Sequence, residues 1–146
     1  RYQGFRALKE NVIPHDAKLG WFRGIDGRRV PIPGETVGTR KHLCMSGYLQ
    51  SGEVIVMKRA AVLFDEDKEI IELRKEHPIL FVDMVHDEDQ YEVPNNMQIA
   101  LKVAQTLADC ITKAGEYYGL KCPLAGSFYN EDHQDYTIGC SWYETH

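Results

Sequence analysis

The segment Val85-His86-Asp87-Glu88 sets an imidazole and two adjacent carboxylates against an otherwise apolar run, residues 78–85. A strand can carry such side chains at its very end, where a hairpin turn exposes them. The run before them is short and rich in β-branched and aromatic residues, and Tyr91-Glu92-Val93 can return as the partner strand. The spacing therefore predicts a rigid hairpin tip bearing Asp87 and Glu88. Carboxylates held there suit a hard divalent cation such as Mg²⁺, which takes oxygen ligands and completes its shell with water and substrate phosphates.

A second set of charges stands upstream. Residues 21–32 read as two short strands joined around the turn dipeptide Asp26-Gly27, and Arg28 and Arg29 follow that turn immediately. Residues 33–41, with Pro33-Gly34 and Gly38, read as a loop ending in Arg40-Lys41-His42. Of the net charge of −5, residues 1–60 carry +6 and residues 61–146 carry −11. A basic first segment can neutralise phosphates and an acidic remainder can hold metal. An unevenly charged solvated surface fits the same pattern.

Two long helices must position these groups. Between Cys44 and about Phe64, Tyr48, Gly52, Ile55, Arg59 or Ala60, and Leu63 recur at three- and four-residue intervals, with Gln50 and Glu53 away from that face. The charged stretch from Asp65 to Glu76 continues or restarts this helix. In the second helix Asn95 or Asn96 is the cap, Ile99, Val103, Leu107, Ile111, Ala114 and Tyr118 form the buried stripe, and Gly119 is the terminator. Residues 136–142 alternate as a strand, after a polar loop at residues 130–135. The fold class is α+β.

The chain has 146 residues, 43% hydrophobic and 27% charged, which suffices for one compact core. Cys44, Cys110, Cys122 and Cys140 never form a Cys-x-x-Cys pair, so they read as buried, reduced thiols rather than zinc ligands. No apolar stretch approaches the ~20 residues a spanning helix needs, so no membrane partner is expected and the expected compartment is the cytoplasm. Arg1 is not an initiator methionine, and the expectation is that the chain begins inside a longer protein.

These pieces together resemble the palm of family A, DNA polymerase I-like, DNA polymerases, especially the replicative enzymes of phages. Four landmarks occur in that family's order. Asp26-Gly27-Arg28-Arg29 resembles its glycine-arginine hairpin, and Leu49-Gln50-Ser51-Gly52 its glutamine-containing segment. Val85-His86-Asp87-Glu88 matches its motif C, and Ser141-Trp142-Tyr143-Glu144-Thr145-His146 resembles its carboxyl terminus. The resemblance covers residues from about 18 to 146. It implies that residues 1–146 form the C-terminal palm part, an antiparallel sheet with the motif C hairpin packed against two long helices. By the same resemblance Asp87 is a ligand of the catalytic Mg²⁺ ions, with Glu88 a neighbouring carboxylate. His86 lies near the primer terminus, and Gln50 touches the minor groove of the primer–template. Arg28, Arg29, Arg40 and Lys41 are assigned to the DNA backbone on charge and position, the alternative for each being solvated surface charge.

The implied reaction is nucleotidyl transfer from a deoxynucleoside triphosphate to a primer 3′ end by two metal ions roughly 3.5–4 Å apart. One carboxylate cannot fix both ions. In the family a second aspartate, from motif A, and a fingers helix complete the site, and neither is present in these 146 residues. The chain alone is therefore expected to be inactive, with the remainder of the polymerase on the same or a separate chain as its partner. Asp89 stands where the family has an aliphatic residue, and reads as a solvent-facing edge position in preference to a further metal-side charge. Ser46 replaces the asparagine common in relatives. Trp142 reads as packing in preference to base stacking. A different class of function stands beside this one: a non-catalytic α+β module for nucleic-acid binding or scaffolding.

Overall fold

The computed structural model describes residues 3–85, 87–130, 135–141 and 144. The chain divides into two compact units, Arg1–Ile55 and Val56–His146. In the first, the helix Gln3–Ala7 (α1) passes through a π turn at Leu8–Val12 into Ile13–Leu19 (α2). The Ile13 N–H donates to the Leu8 carbonyl across five residues, and Leu8 and Ile13 share one apolar cluster. That spacing hides the helix from a search at three- and four-residue intervals. Pro14 lies in the first turn of α2, where its missing N–H costs least.

Trp21–Arg23 (β1) and Arg29–Pro31 (β2) pair antiparallel, Phe22 facing Val30, as the sequence implies. Gly27 turns the chain at φ +85°, a conformation that side-chain-bearing residues rarely adopt. The following helix, Val37–Asp65 (α3), starts seven residues before Cys44. Thr36 is the reason: its hydroxyl accepts from the Thr39 N–H at 3.2 Å. A threonine cap thereby draws residues 37–41, expected as loop, into the helix. Ile13, Phe22, Ile32 and Cys44 form the core of this unit, with Val30, Met45 and Tyr48 against it.

In the second unit the Asp67 carboxylate accepts from the Glu69 and Ile70 N–H groups and restarts the helix as Lys68–Glu76 (α4). Leu80–Val85 (β3) and Glu88–Glu92 (β4) form the expected hairpin, with Val85 opposite Glu88 and Phe81 opposite Tyr91. Asn96 caps Met97–Tyr117 (α5), accepting from the Gln98 N–H at 3.0 Å, and Gly119 follows at φ +66°. The last pairing, Tyr129–Asn130 (β5) with Asp135–Tyr136 (β6), departs from expectation. Asn130 and Asp135 pair instead of looping, and residues 137–141 are not strand. The Thr137 N–H and hydroxyl both donate to the Phe128 carbonyl, which carries the register of the pair one residue past β6. Trp142 and His146 lie outside the described residues.

The architecture is α+β, with each sheet two-stranded and antiparallel. Val56, Ala60 and Phe64 of α3, Ile70 of α4, Ile79, and Val103, Cys110 and Ala114 of α5 build one core, and Tyr91 and Val93 pack on it. Cys44 and Cys110 are buried free thiols as expected, whereas Cys122 and Cys140 are exposed, because both sit in loops outside these cores. No helix among the described residues is long and apolar enough to cross a membrane.

Phe64, fully buried, is the contact on which the second core closes. Phe64→Ala is expected to destabilise the protein by about 3–5 kcal/mol, and Asp67→Ala by about 1 kcal/mol through loss of the α4 cap. Calorimetric melts of both variants check the ranking, and equal midpoints would contradict it.

Candidate functional site

The carboxylate hairpin is short and tightly registered. Val85 pairs with Glu88 at the closed end of the hairpin. Asp87 is exposed at its tip, while Glu88 is half-buried at the start of β4 and accepts from the Gln90 side-chain amide two residues on. His86 lies outside the described residues. Beneath the tip the hairpin is anchored through one ring: Tyr91 packs on Phe64 with centroids 4.9 Å apart and meets Phe81 edge-on at 5.4 Å. A two-stranded ribbon is marginal by itself, so these aromatic contacts position the acidic tip.

Period-two alternation puts Asp89 on the Tyr91 face, opposite Met84. The structure thereby corrects the expectation of a solvent-facing edge. Both Asp89 carboxylate oxygens are out of contact with water and have no hydrogen-bond partner among the described residues. Burial alone pushes the Asp89 carboxyl up to about 6. The outer strand shows the opposite departure. Leu80, Phe81 and Val82 are 54%, 49% and 61% exposed, so the apolar run that resembles a buried strand lays three large side chains in the open at the end of the hairpin away from the tip.

Asp87 and Glu88 are oxygen donors of the type a hard divalent cation takes. Among the described residues, however, no three His, Cys, Asp or Glu side chains gather closely enough to hold a metal ion. A cation held by this pair would need further ligands from beyond the described residues.

The basic residues belong to the first unit and have individual settings. Arg28 is bound to the Asp26 carboxylate across the turn, and its N–H also donates to that group at 3.1 Å. Slight burial would raise Asp26, but these contacts with Arg28 more than offset it and hold the carboxyl below its ordinary value. The Arg29 guanidinium lies 4.6 Å from the Trp21 ring centroid, a stacking contact that leaves its charge in place. Arg40 is half-buried, and its Nε donates to the Ala17 carbonyl at 2.7 Å, so part of its guanidinium ties α3 to the end of α2. Lys41, Ser46 and Gln50 are exposed on α3.

Two residues gain importance that no motif signals. Asp16 is buried, and its carboxylate receives the Tyr48 hydroxyl. Its sequence signal is its place in the core-facing spacing Ile13-Asp16-Ala17. The Asp89 signal is its alternation with Tyr91.

No known protein-family profile matches the chain. The sequence is similar to a DNA-directed DNA polymerase of Escherichia phage Phieco32, with 34% identity over 141 residues, or 96% of this chain. The chain spans about a fifth of that relative's length, 21%.

Asp89, half-buried with its carboxylate oxygens out of contact with water, predicts a pH signature. A carboxyl raised in the folded state binds its proton more tightly there than in the unfolded chain, so its contribution to stability falls as pH rises from its ordinary 3.8 to about 6 and is level above. Asp89→Asn removes this loss. The variant is expected to gain on the order of 1 kcal/mol over the parent at pH 7, after allowance for solvent screening, and the advantage should shrink toward pH 4. Urea melts across that range measure the difference, and a gap independent of pH would contradict a desolvated carboxylate.

Proposed function

We propose that this chain is the C-terminal palm part of a family A, phage replicative type DNA polymerase, acting in template-directed DNA synthesis together with the rest of that polymerase. The observation that carries this reading is the similarity of nearly the whole chain to a fifth of a DNA-directed DNA polymerase. The acidic hairpin and the arginine hairpin supply the chemistry it asks for.

In this reading Asp87, with Glu88 beside it, would hold catalytic Mg²⁺, which when bound supplies the positive charge that stabilises a transferring phosphoryl group. The chain's own contribution is to carry these carboxylates on a hairpin anchored by Tyr91, so that their position does not depend on a mobile loop. The exposed Leu80, Phe81 and Val82 are where the missing part of the polymerase would cover the hairpin and bring the further carboxylate, because apolar patches of this kind mark contact surfaces. His86 would stand near the primer terminus. Arg28, Arg29, Arg40 and Lys41 would meet phosphates, giving affinity without sequence preference. Gln50 would address the minor groove, whose acceptors are nearly alike in every base pair. The partners are primer–template DNA and deoxynucleoside triphosphates.

Three results test this. The purified 146-residue chain should extend no primer, since it holds part of a metal site and no grip for the triphosphate; extension above background would overturn the division of labour. In the complete polymerase Asp87→Asn should lower kcat by roughly a thousandfold or more with little change in DNA affinity. A variant that keeps its turnover would remove Asp87 from the reaction. Arg29→Ala should weaken DNA binding across sequences and flatten its salt dependence by about one unit of slope. An unchanged slope would assign Arg29 to the Trp21 contact alone.

A further inference from the structure

Asp16 is a buried carboxylate, 8% exposed, in a unit whose core is otherwise apolar. Burying such a group is costly unless hydrogen bonds compensate it. It has two: the Tyr48 hydroxyl donates to Oδ2, and His15 Nδ1 meets Oδ1 at 3.0 Å. The Tyr48 ring also packs on Phe22 with centroids 4.2 Å apart. Phe22 is 1% exposed and rests on the backbone of α3 at Gly47, where a Cβ would come within 3.2 Å of its ring. Three elements therefore meet on one tyrosine: α2 through Asp16, the arginine hairpin through Phe22, and α3 itself.

A second tie lies along the same helix. Arg40 Nε reaches the carbonyl of Ala17, the residue after Asp16. Arg40 and Tyr48 are eight residues apart, about two turns, so α2 grips α3 twice along one side. Two grips fix rotation as well as position. Gln50, two residues beyond Tyr48 and about 200° further round the helix, is thereby turned outward. Burial first, and then the Asp16 carboxylate, push the Tyr48 hydroxyl well above its ordinary range, which keeps it a donor.

We infer that Asp16 is a positioning residue for nucleic-acid contact, acting through the Tyr48 hydroxyl to fix the outward face of α3 that carries Gln50. This rests on the reading of Gln50 as a DNA contact. An aliphatic pair would fill the same space without aiming the helix, so a buried acceptor matched to one hydroxyl is a device for register.

The test measures binding of a fluorescein-labelled primer–template duplex to the 146-residue chain by anisotropy at low salt, with a thermal melt of each variant. Tyr48→Phe keeps the ring on Phe22 and removes only the hydroxyl, and should bind about fivefold more weakly. Asp16→Asn keeps an acceptor for Tyr48 and should stay within about twofold of the parent. In a Gln50→Ala background Tyr48→Phe should cause no further loss. Additive losses, or full affinity in Tyr48→Phe when Gln50→Ala is weakened, overturn the positioning role while leaving Gln50 in contact with DNA. A neutral Gln50→Ala, or no binding by the parent chain, removes the contact reading and the inference with it. If Tyr48→Phe does not fold, Asp16→Ala takes its place in the same cycle, with the same outcomes deciding.

Discussion

The Phe64–Tyr91 ring contact converts a two-stranded ribbon into a fixed mount for carboxylates. A hairpin of this size has no core, and its open strand lays Leu80, Phe81 and Val82 bare. Its position is set by what Tyr91 and Val93 reach: a floor made of Phe64, Ile70 and the inner stripe of α5. The Asp67 and Asn96 caps matter for the same reason, since they set where α4 and α5 begin and so where that floor lies. Acidic side chains at the tip then need no packing of their own. The sheet carries them and the helices carry the sheet.

The first unit solves a different problem, how to present positive charge from a small core. Arg28, Arg29 and Arg40 are held by three kinds of neighbour: a carboxylate for Arg28, an indole for Arg29 and a backbone carbonyl for Arg40. Such contacts order a long side chain in advance, which lowers the entropy it would lose on meeting an anion. The hairpin and α3 meet on Phe22 and Tyr48, so the side chains they carry share one foundation.

Much of this was legible in the sequence where one local signal dominates. The Asp26-Gly27 turn, the α5 stripe with its Asn96 cap and the β3–β4 hairpin each follow from a period or a turn dipeptide. The misses have equally local causes. The π turn sets Leu8 and Ile13 five residues apart, which no helical template matches. Thr36 caps a helix inside the segment that Pro33-Gly34 and Gly38 mark as a loop. Asp89 is polar on a core-facing register, a conflict that alternation reveals only once the partner strand is known. The short final hairpin failed as a strand prediction because alternation over residues 136–142 does not say whether a partner exists for that length. The candidate site followed the same rule: residue types came from the motif, while settings such as the buried Asp16 required the fold.

Metal-directed cleavage tests most directly the proposed holding of a divalent cation by Asp87 and Glu88 in the complete polymerase. Fe²⁺ in place of Mg²⁺, with ascorbate and peroxide, cuts a polypeptide beside the bound ion, and the fragments can be mapped by mass spectrometry. In the complete polymerase bound to primer–template, cleavage is expected within a few residues of Asp87, suppressed by excess Mg²⁺. Cleavage confined to other segments, with the β3–β4 turn intact, would contradict it.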